Sequence, residues 1–144
     1  MMVYEIKPYA GVGRLRFGMN PDDVRKALHS EVRPSLKSSS DIPADFFPLL
    51  GIFVDYKPPG ICQAIEFAGP ASPTFEGQHL LGRPYADMER WIKSMDPEVV
   101  FDGAGLRTRK FGFGLYAPSA TKVPESPVKG VIVFENGYYA WEGS

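Results

Sequence analysis

The sequence repeats part of its own pattern about 64 positions further along, and this limits the folds it can adopt. The first set is Gly13, Gly18, Asp23 and Leu28, and the second set is Gly77, Gly82, Asp87 and Ile92. A period of this length, seen twice, is too long for a solenoid and indicates one duplicated unit of helix and sheet. A chain of 144 residues has the usual size of one domain. We expect a single domain over residues 1–144, made of two repeats at about 12–68 and 76–140.

Each repeat is predicted to contain one short helix. Asn20 is a favourable N-cap and Pro21 suits the first helical position, so the first helix is expected to run to about His29. The second helix begins at Pro84 and ends near residue 96, because Pro97 cannot continue it. Apolar residues at spacings of three and four give each helix one apolar side, which must pack on another element.

Strands are predicted after each helix. Apolar and polar residues alternate at residues 52–56, 61–67 and 111–116, and a further strand is expected at residues 131–135. Asn136-Gly137 favours a type I′ turn that continues the last strand into residues 138–141. The predicted class is α+β: a tandem duplicated helix-plus-antiparallel-strands unit, with two helices packed on one face of a mostly antiparallel sheet.

Alternation divides the strand residues between two faces. The helix-covered face is predicted to carry Ile52, Val54, Tyr56, Ile65, Phe67, Phe111, Phe113, Leu115, Ile132, Phe134, Tyr139 and Trp141. The opposite face is predicted to carry Phe53, Asp55, Glu66, Gly112, Gly114, Tyr116, Glu135 and Tyr138.

This second face mixes aromatic and acidic residues. Aromatic side chains give contact area at low entropic cost and acids give specificity, so we interpret the face as a partner-binding surface. Its candidate residues are Phe53, Asp55, Glu66, Tyr116, Glu135 and Tyr138. The competing interpretation is the ordinary solvated side of a sheet with scattered aromatics.

The candidate reactive groups form no recognisable catalytic or metal site. A tight turn at residues 57–60 would place Asp55 and Glu66 about 13 Å apart, beyond the ~5–10 Å of paired carboxylates in glycoside hydrolysis. Cys62 has no base beside it in the sequence, and together with His29 and His79 it provides too few ligands for zinc. We therefore predict no catalytic residue, no metal and no cofactor.

Charge and termini suggest the kind of partner and the compartment. The net charge of -1 and the pI near 6.1 give no electrostatic reason to expect nucleic acid or a membrane. The three acids of the candidate surface predict a protein partner with a basic patch.

The basic run of Arg107, Arg109 and Lys110 is interpreted as a solvated sheet edge, with a phosphate site as the alternative. One cysteine and an N-terminus without the features of a signal peptide predict a cytoplasmic location.

One segment also suggests a family. Residues 18–28 read Gly-Met-Asn-Pro-Asp-Asp-Val-Arg-Lys-Ala-Leu, and residues 82–92 match them more loosely. This doubled helix with its following sheet resembles the tandem architecture of the β-lactamase-inhibitor-protein-like folds and of the small outer-membrane-assembly lipoproteins. The resemblance implies a concave sheet face that grips another protein, and it transfers no functional residue.

The expected function is therefore protein binding through the open face of the sheet. A cytoplasmic inhibitor or a toxin-neutralising immunity protein is its most specific form. The alternative is a small-molecule-binding or enzymatic domain with a pocket between the sheet and its loops.

Overall fold

Short strands dominate the architecture. The computed structural model describes residues 3–36 and 41–141. The first half contains β1 (Tyr4–Lys7), β2 (Gly11–Val12), β3 (Leu15–Arg16), α1 (Pro21–Leu28), β4 (Arg33–Ser35), β5 (Ala44–Phe47), β6 (Ile52–Lys57) and β7 (Ile61–Phe67). The second half contains β8 (Pro73–Phe75), β9 (Gln78–His79), α2 (Tyr85–Met95), β10 (Val100–Asp102), β11 (Gly105–Thr108), β12 (Phe113–Tyr116), a 3-10 helix (Pro118–Thr121) and β13 (Gly130–Phe134).

These strands form two sheets over the described ranges. The larger sheet has eight strands in the order β4-β5-β6-β7-β13-β12-β11-β10, each antiparallel to its neighbours. The smaller has the order β3-β2-β1-β8-β9, in which β1 and β8 are parallel. The predicted α+β class is confirmed, although the strands are shared between two sheets rather than one. In the larger sheet each half contributes four consecutive strands, and the two halves meet where β7 pairs with β13.

The two helices begin in different ways. The Asn20 side chain caps α1 by accepting a hydrogen bond of 2.9 Å from the Asp23 N–H. Pro84 precedes α2 and offers no side-chain cap. The carbonyl groups of Pro124 and Ser126 instead accept the first two N–H groups of α2, at 2.9 Å each. The loop after β12 therefore satisfies donors that a helix start would otherwise leave exposed.

Two rows of buried side chains cross the larger sheet on the side that we call the helix face. The first row is Phe47, Ile52, Phe67, Val131, Leu115 and Leu106. The second row is Asp45, Val54, Ile65, Val133, Phe113 and Thr108. Val24 and Leu28 of α1 and Met88 and Ile92 of α2 belong to the same hydrophobic cluster as the apolar members of these rows.

The smaller sheet packs against the helix face as well. The Tyr4 ring of β1 lies 5.7 Å from the Phe67 ring, and the Phe75 ring of β8 lies 5.0 Å from the Phe113 ring. Aromatic pairs at these separations contribute packing energy beyond the area they bury.

The buried polar residues at the two ends of the second row each contact a helix segment. Asp45 accepts two hydrogen bonds from the Arg25 guanidinium of α1, at 2.8 and 2.9 Å, and one of 2.8 Å from the Tyr56 hydroxyl. At the other end, the Thr108 hydroxyl donates 2.7 Å to Asp96, the residue that ends α2. Burial and the bond to Asp45 raise the pKa of Tyr56, so its hydroxyl stays protonated as the donor.

The structure shows that the last strand, β13, turns the opposite side chains toward the helix face from those predicted. Val131 and Val133 occupy the helix face, because Val133 pairs with Phe113, and this leaves Ile132 and Phe134 on the other side. Residues 131–134 are all apolar, so alternation could not tell which pair points to the helices. The predicted last strand is also wrong, since residues 138–141 are not in a ladder.

The Asn136-Gly137 turn differs from the predicted type. The Tyr138 N–H donates 3.2 Å to the Glu135 carbonyl, as in a four-residue turn. Of the two central residues only Gly137 has a positive φ, at 90°, whereas a type I′ turn needs both. The turn therefore releases the chain from the ladder instead of returning it as a paired strand.

Replacing Asp45 by Asn is expected to lower the free energy of unfolding by roughly 2–4 kcal/mol. The change removes the negative charge that balances Arg25 and disturbs the buried acceptor of the Tyr56 hydroxyl. Denaturant unfolding measures the loss, with Glu31→Gln as the control because its pair with Arg33 is exposed on both sides. A loss below about 1 kcal/mol for Asp45→Asn would show that this network does not hold α1 to the sheet.

Candidate binding groove on the open sheet face

The side of the larger sheet opposite the helix face, here called the open face, is partly covered by the end of the chain. The rings of Tyr138, Tyr139 and Trp141 lie 6.1, 4.9 and 5.9 Å from the Phe134 ring. These contacts explain why Phe134 is fully buried although it points away from the helices. Residues 138–141 form an aromatic strap across one end of the open face.

Beside the strap lies a groove of about 550 Å³. Its floor is one cross-strand row, in which Phe53 pairs with Glu66, Glu66 with Ile132, Ile132 with Gly114 and Gly114 with Arg107. Other lining residues are Phe46, Asp102, Tyr116, Lys129, Gly130 and Tyr139. Phe46 and Tyr116 are exposed, so the groove has apolar walls that are accessible to a ligand.

Gly114 gives the groove its depth next to Arg107. A Cβ atom at this position would lie 3.1 Å from Arg107 Cγ and 3.3 Å from Ile132 Cγ2, closer than ordinary van der Waals contact. The missing side chain therefore lets the Arg107 side chain lie across the floor of the sheet. At Gly130 a Cβ would meet Tyr116 Cβ at 3.4 Å, a contact that the structure could accommodate.

Glu66 is the acidic group of the groove floor. Among the described residues its carboxylate has no hydrogen bond or ion pair, and the residue remains exposed. Partial burial of the carboxylate raises the pKa of Glu66 above its ordinary value, and the nearby charge of Asp55 raises it further. Glu66 therefore presents an unpaired acid to anything that enters the groove.

Arg107 is the basic group at the other end of the row. Its guanidinium lies 4.4 Å from the centre of the Tyr139 ring and 5.5 Å from that of Trp141, in cation–π contact. Burial raises the pKa of Tyr139, the Arg107 charge opposes this effect, and the charges of Glu66 and Asp102 add to it. The strap and the row of floor residues thus meet at Arg107.

The six predicted partner-binding residues separate into two groups. Phe53, Glu66 and Tyr116 line the groove. Asp55 is buried and accepts 2.9 Å from Gln63, and Glu135 forms a 2.5 Å ion pair with Lys57. Tyr138 stacks on Phe134 within the strap.

The predicted separation of the two acids on this face is wrong. Asp55 pairs with Ala64, not with Cys62, for two reasons: Lys57 rather than Tyr56 pairs with Ile61, and the register shifts again by a bulge between Asp55 and Tyr56. Glu66 is therefore a diagonal neighbour of Asp55, at about 7–8 Å rather than 13 Å between backbones. The burial of Asp55 nevertheless keeps it out of the groove, and only Glu66 of the pair lines it.

Arg107 occupies a different place from the one predicted for the basic run, whereas Arg109 and Lys110 follow β11 and are exposed. Arg107 lies on β11, which is flanked by β10 and β12 and is therefore not a sheet edge. Its position under the aromatic strap depends on residues more than thirty positions later in the chain, and no local signal could have identified it. Phe46, Asp102, Lys129 and Tyr139 also line the groove without having been predicted to do so.

Other candidate groups show no assembled site. Cys62 is fully buried, and burial, followed by the charges of Glu135 and Asp55, raises its pKa to about 12, so it is a thiol at neutral pH. The described part of the chain brings together no group of three or more His, Cys, Asp or Glu residues able to hold a metal ion. In the same residues neither helix has the length and apolar character needed to cross a membrane.

Comparison of the chain with models of protein families, with curated proteins and with solved structures gives no match. The candidate site is consequently interpreted from its own geometry.

The raised pKa of Glu66 predicts a pH-dependent effect of Glu66→Gln on stability. In the interval between the pKa of the unfolded state and the higher pKa of the folded state, the folded protein binds more protons, so stability falls as the pH rises. The charged form of Glu66 therefore costs stability at neutral pH, and Glu66→Gln should have a higher Tm than the wild type at pH 7. This advantage should shrink as the pH falls through the raised pKa of Glu66 and should be gone at about pH 4, where the side chain is mostly protonated in both the folded and the unfolded state.

Thermal unfolding across this pH range measures the effect, and Glu125→Gln, which removes one acid from an exposed loop, controls for net charge. A Tm difference that is the same at both ends of the range would contradict the proposed electrostatic environment of Glu66.

Proposed function

We propose that the open face binds another protein, and that side chains of this partner enter the groove. The observation that carries the proposal is the groove itself, in which exposed aromatic walls surround a floor with charges of both signs. Among the described residues Glu66 has no hydrogen bond or ion pair, and the Arg107 guanidinium donates no hydrogen bond. Interfaces commonly concentrate their binding energy in aromatic and arginine residues around such a depression. The resemblance stated above favours an inhibitor or a toxin-neutralising immunity protein, acting in the cytoplasm, as the class of binder.

We also propose that the two halves of the chain are copies of one unit, with both helices on the helix face. Two observations support this. Each half runs through a short hairpin, one helix and four antiparallel strands. The Gly18 N–H donates 2.9 Å to the Cys62 carbonyl near the start of β7, and the Gly82 N–H donates 2.9 Å to the Val128 carbonyl, two residues before β13, so equivalent glycines contact equivalent parts of the two halves. A duplicated unit paired through β7 and β13 builds one broad face free of helices.

The partner should present a basic group to Glu66. Two of the three predicted acids already have partners within the chain, Asp55 with Gln63 and Glu135 with Lys57. We therefore expect a localised basic contact and a modest slowing of association with added salt, rather than strong steering by a large field.

Small-molecule binding is the second candidate. The groove volume of about 550 Å³ lies within the range of small-molecule sites, roughly 300–1,000 Å³. A ligand of this kind would stay with the protein through purification or be turned over by it, and this separates the two functions.

Photocrosslinking distinguishes protein binding from small-molecule binding. A photoreactive amino acid at position 116 should capture a partner protein in the cells that make this chain. The same group at position 101 should not, because Phe101 is exposed but lies outside the groove. For the purified pair, Phe53→Ala or Tyr116→Ala should weaken binding by about 1–3 kcal/mol, whereas Phe101→Ala should leave the affinity unchanged.

Equal capture from both positions, or unchanged affinity in the groove variants, would contradict protein binding through this face. Native mass spectrometry of the purified protein tests the second candidate, small-molecule binding. A bound small molecule that is lost from the groove variants but kept by Phe101→Ala would establish the second candidate instead.

A further inference from the structure

Arg107 has an unusual set of contacts for an arginine that is largely covered. Its side chain is 26% exposed, and among the described residues the guanidinium donates no hydrogen bond. The Nε atom is enclosed, and Asp102 Oδ2 approaches it only to 3.9 Å, too far for a hydrogen bond. The contacts that remain are the rings of Tyr139 and Trp141.

Such an arrangement favours the binding of a hydrogen-bond acceptor from a ligand to the Arg107 guanidinium. A guanidinium has five N–H donors, and leaving donors without acceptors in a partly dry site costs free energy. The two aromatic rings hold the planar group in place without using those donors. The accessible part of the side chain lines the groove, so an acceptor can reach the guanidinium from the groove.

We propose that Arg107 binds a carboxylate of the ligand that occupies the groove. The planar fork of an arginine matches the two oxygens of a carboxylate, which can accept two parallel N–H bonds. Glu66 and Asp102 also line the groove and offset the charges of Arg107 and Lys129, so the groove has no net positive charge that would favour a doubly charged phosphate over a singly charged carboxylate. The site is therefore selective for a monoanion attached to an apolar or aromatic group that fits between the walls.

The register of the sheet sets the distance between the two charged contacts. Glu66 and Arg107 occupy the same cross-strand row and are separated by Ile132 and Gly114. Three strand spacings correspond to about 14 Å between the backbones. This inference rests on the proposed function. The partner is then expected to present a basic group to Glu66 and a carboxylate to Arg107, at a separation that matches this distance.

Aromatic acids serve as probes of the Arg107 site in the purified protein. Phenylacetate supplies the carboxylate and a ring, phenylacetamide is its neutral counterpart, and phenyl phosphate carries the doubly charged group. The chain has two tryptophans, of which Trp141 contacts Arg107 and Trp91 is on α2. Phenylacetate should shift the indole N–H signal of Trp141 in a saturable way and leave that of Trp91 in place.

Variants at two neighbouring arginines identify the contact. Arg107→Gln should weaken phenylacetate binding about tenfold or more, and Arg107→Lys should weaken it less because the charge is kept without the fork. Arg109→Gln is the matched control, because Arg109 also approaches Trp141, at 5.9 Å, but does not line the groove. If Arg107→Gln fails to fold, the comparison of Arg107→Lys with Arg109→Gln decides the question.

Several results would overturn the proposal. They are an unmoved Trp141 signal up to the solubility of phenylacetate, equal binding of phenylacetamide, tighter binding of phenyl phosphate, or equal losses in the Arg107 and Arg109 variants. The probes need no partner protein, so this test can succeed when crosslinking finds no partner and can fail when crosslinking finds one. The two proposals are therefore tested separately.

Discussion

The pairing of β7 with β13 is the interaction on which the rest of the structure depends. Ile65 pairs with Val133 and Phe67 with Val131 across this boundary, and these pairs join the apolar rows of the two halves. Without it, each half would be a four-stranded sheet whose apolar helix face ends at an open edge. The pairing closes both edges at once and produces one continuous surface of buried apolar side chains across the eight strands.

The same pairing builds the groove. Because successive residues of a strand point to opposite faces, the register that buries Val133 must place Ile132 on the open face, between Glu66 and Gly114. The floor row therefore contains residues from both halves of the chain, with the acid from one half and Arg107 from the other. A site of this kind exists only when the two halves are joined, which couples its integrity to the stability of the whole fold.

What covers the open face limits the part of it that is accessible. The strap buries Phe134 and encloses Arg107, while Gln63 donates a hydrogen bond to Asp55 and Lys57 forms an ion pair with Glu135. Among the residues that the structure describes, this leaves a limited area with an acid, Glu66, that has no hydrogen bond or ion pair, an arginine that donates no hydrogen bond, and exposed aromatic walls. The concentration of accessible rings and of a largely covered arginine without hydrogen bonds in one groove is what supports the proposed binding role over an ordinary solvated sheet side.

The sequence by itself determined the local elements and half of the predicted surface. Asn20 and Pro21 specify the start of α1, and alternation around Phe53 and Glu66 places both on the face away from the helices, because these signals act within a few residues. The tertiary structure alone decided the direction of Phe134, the burial of Asp55 and the position of Arg107 beneath Tyr139. Each of these depends on contacts between residues distant in the chain, where a register, a bulge or a released strand is set by packing that no local pattern encodes.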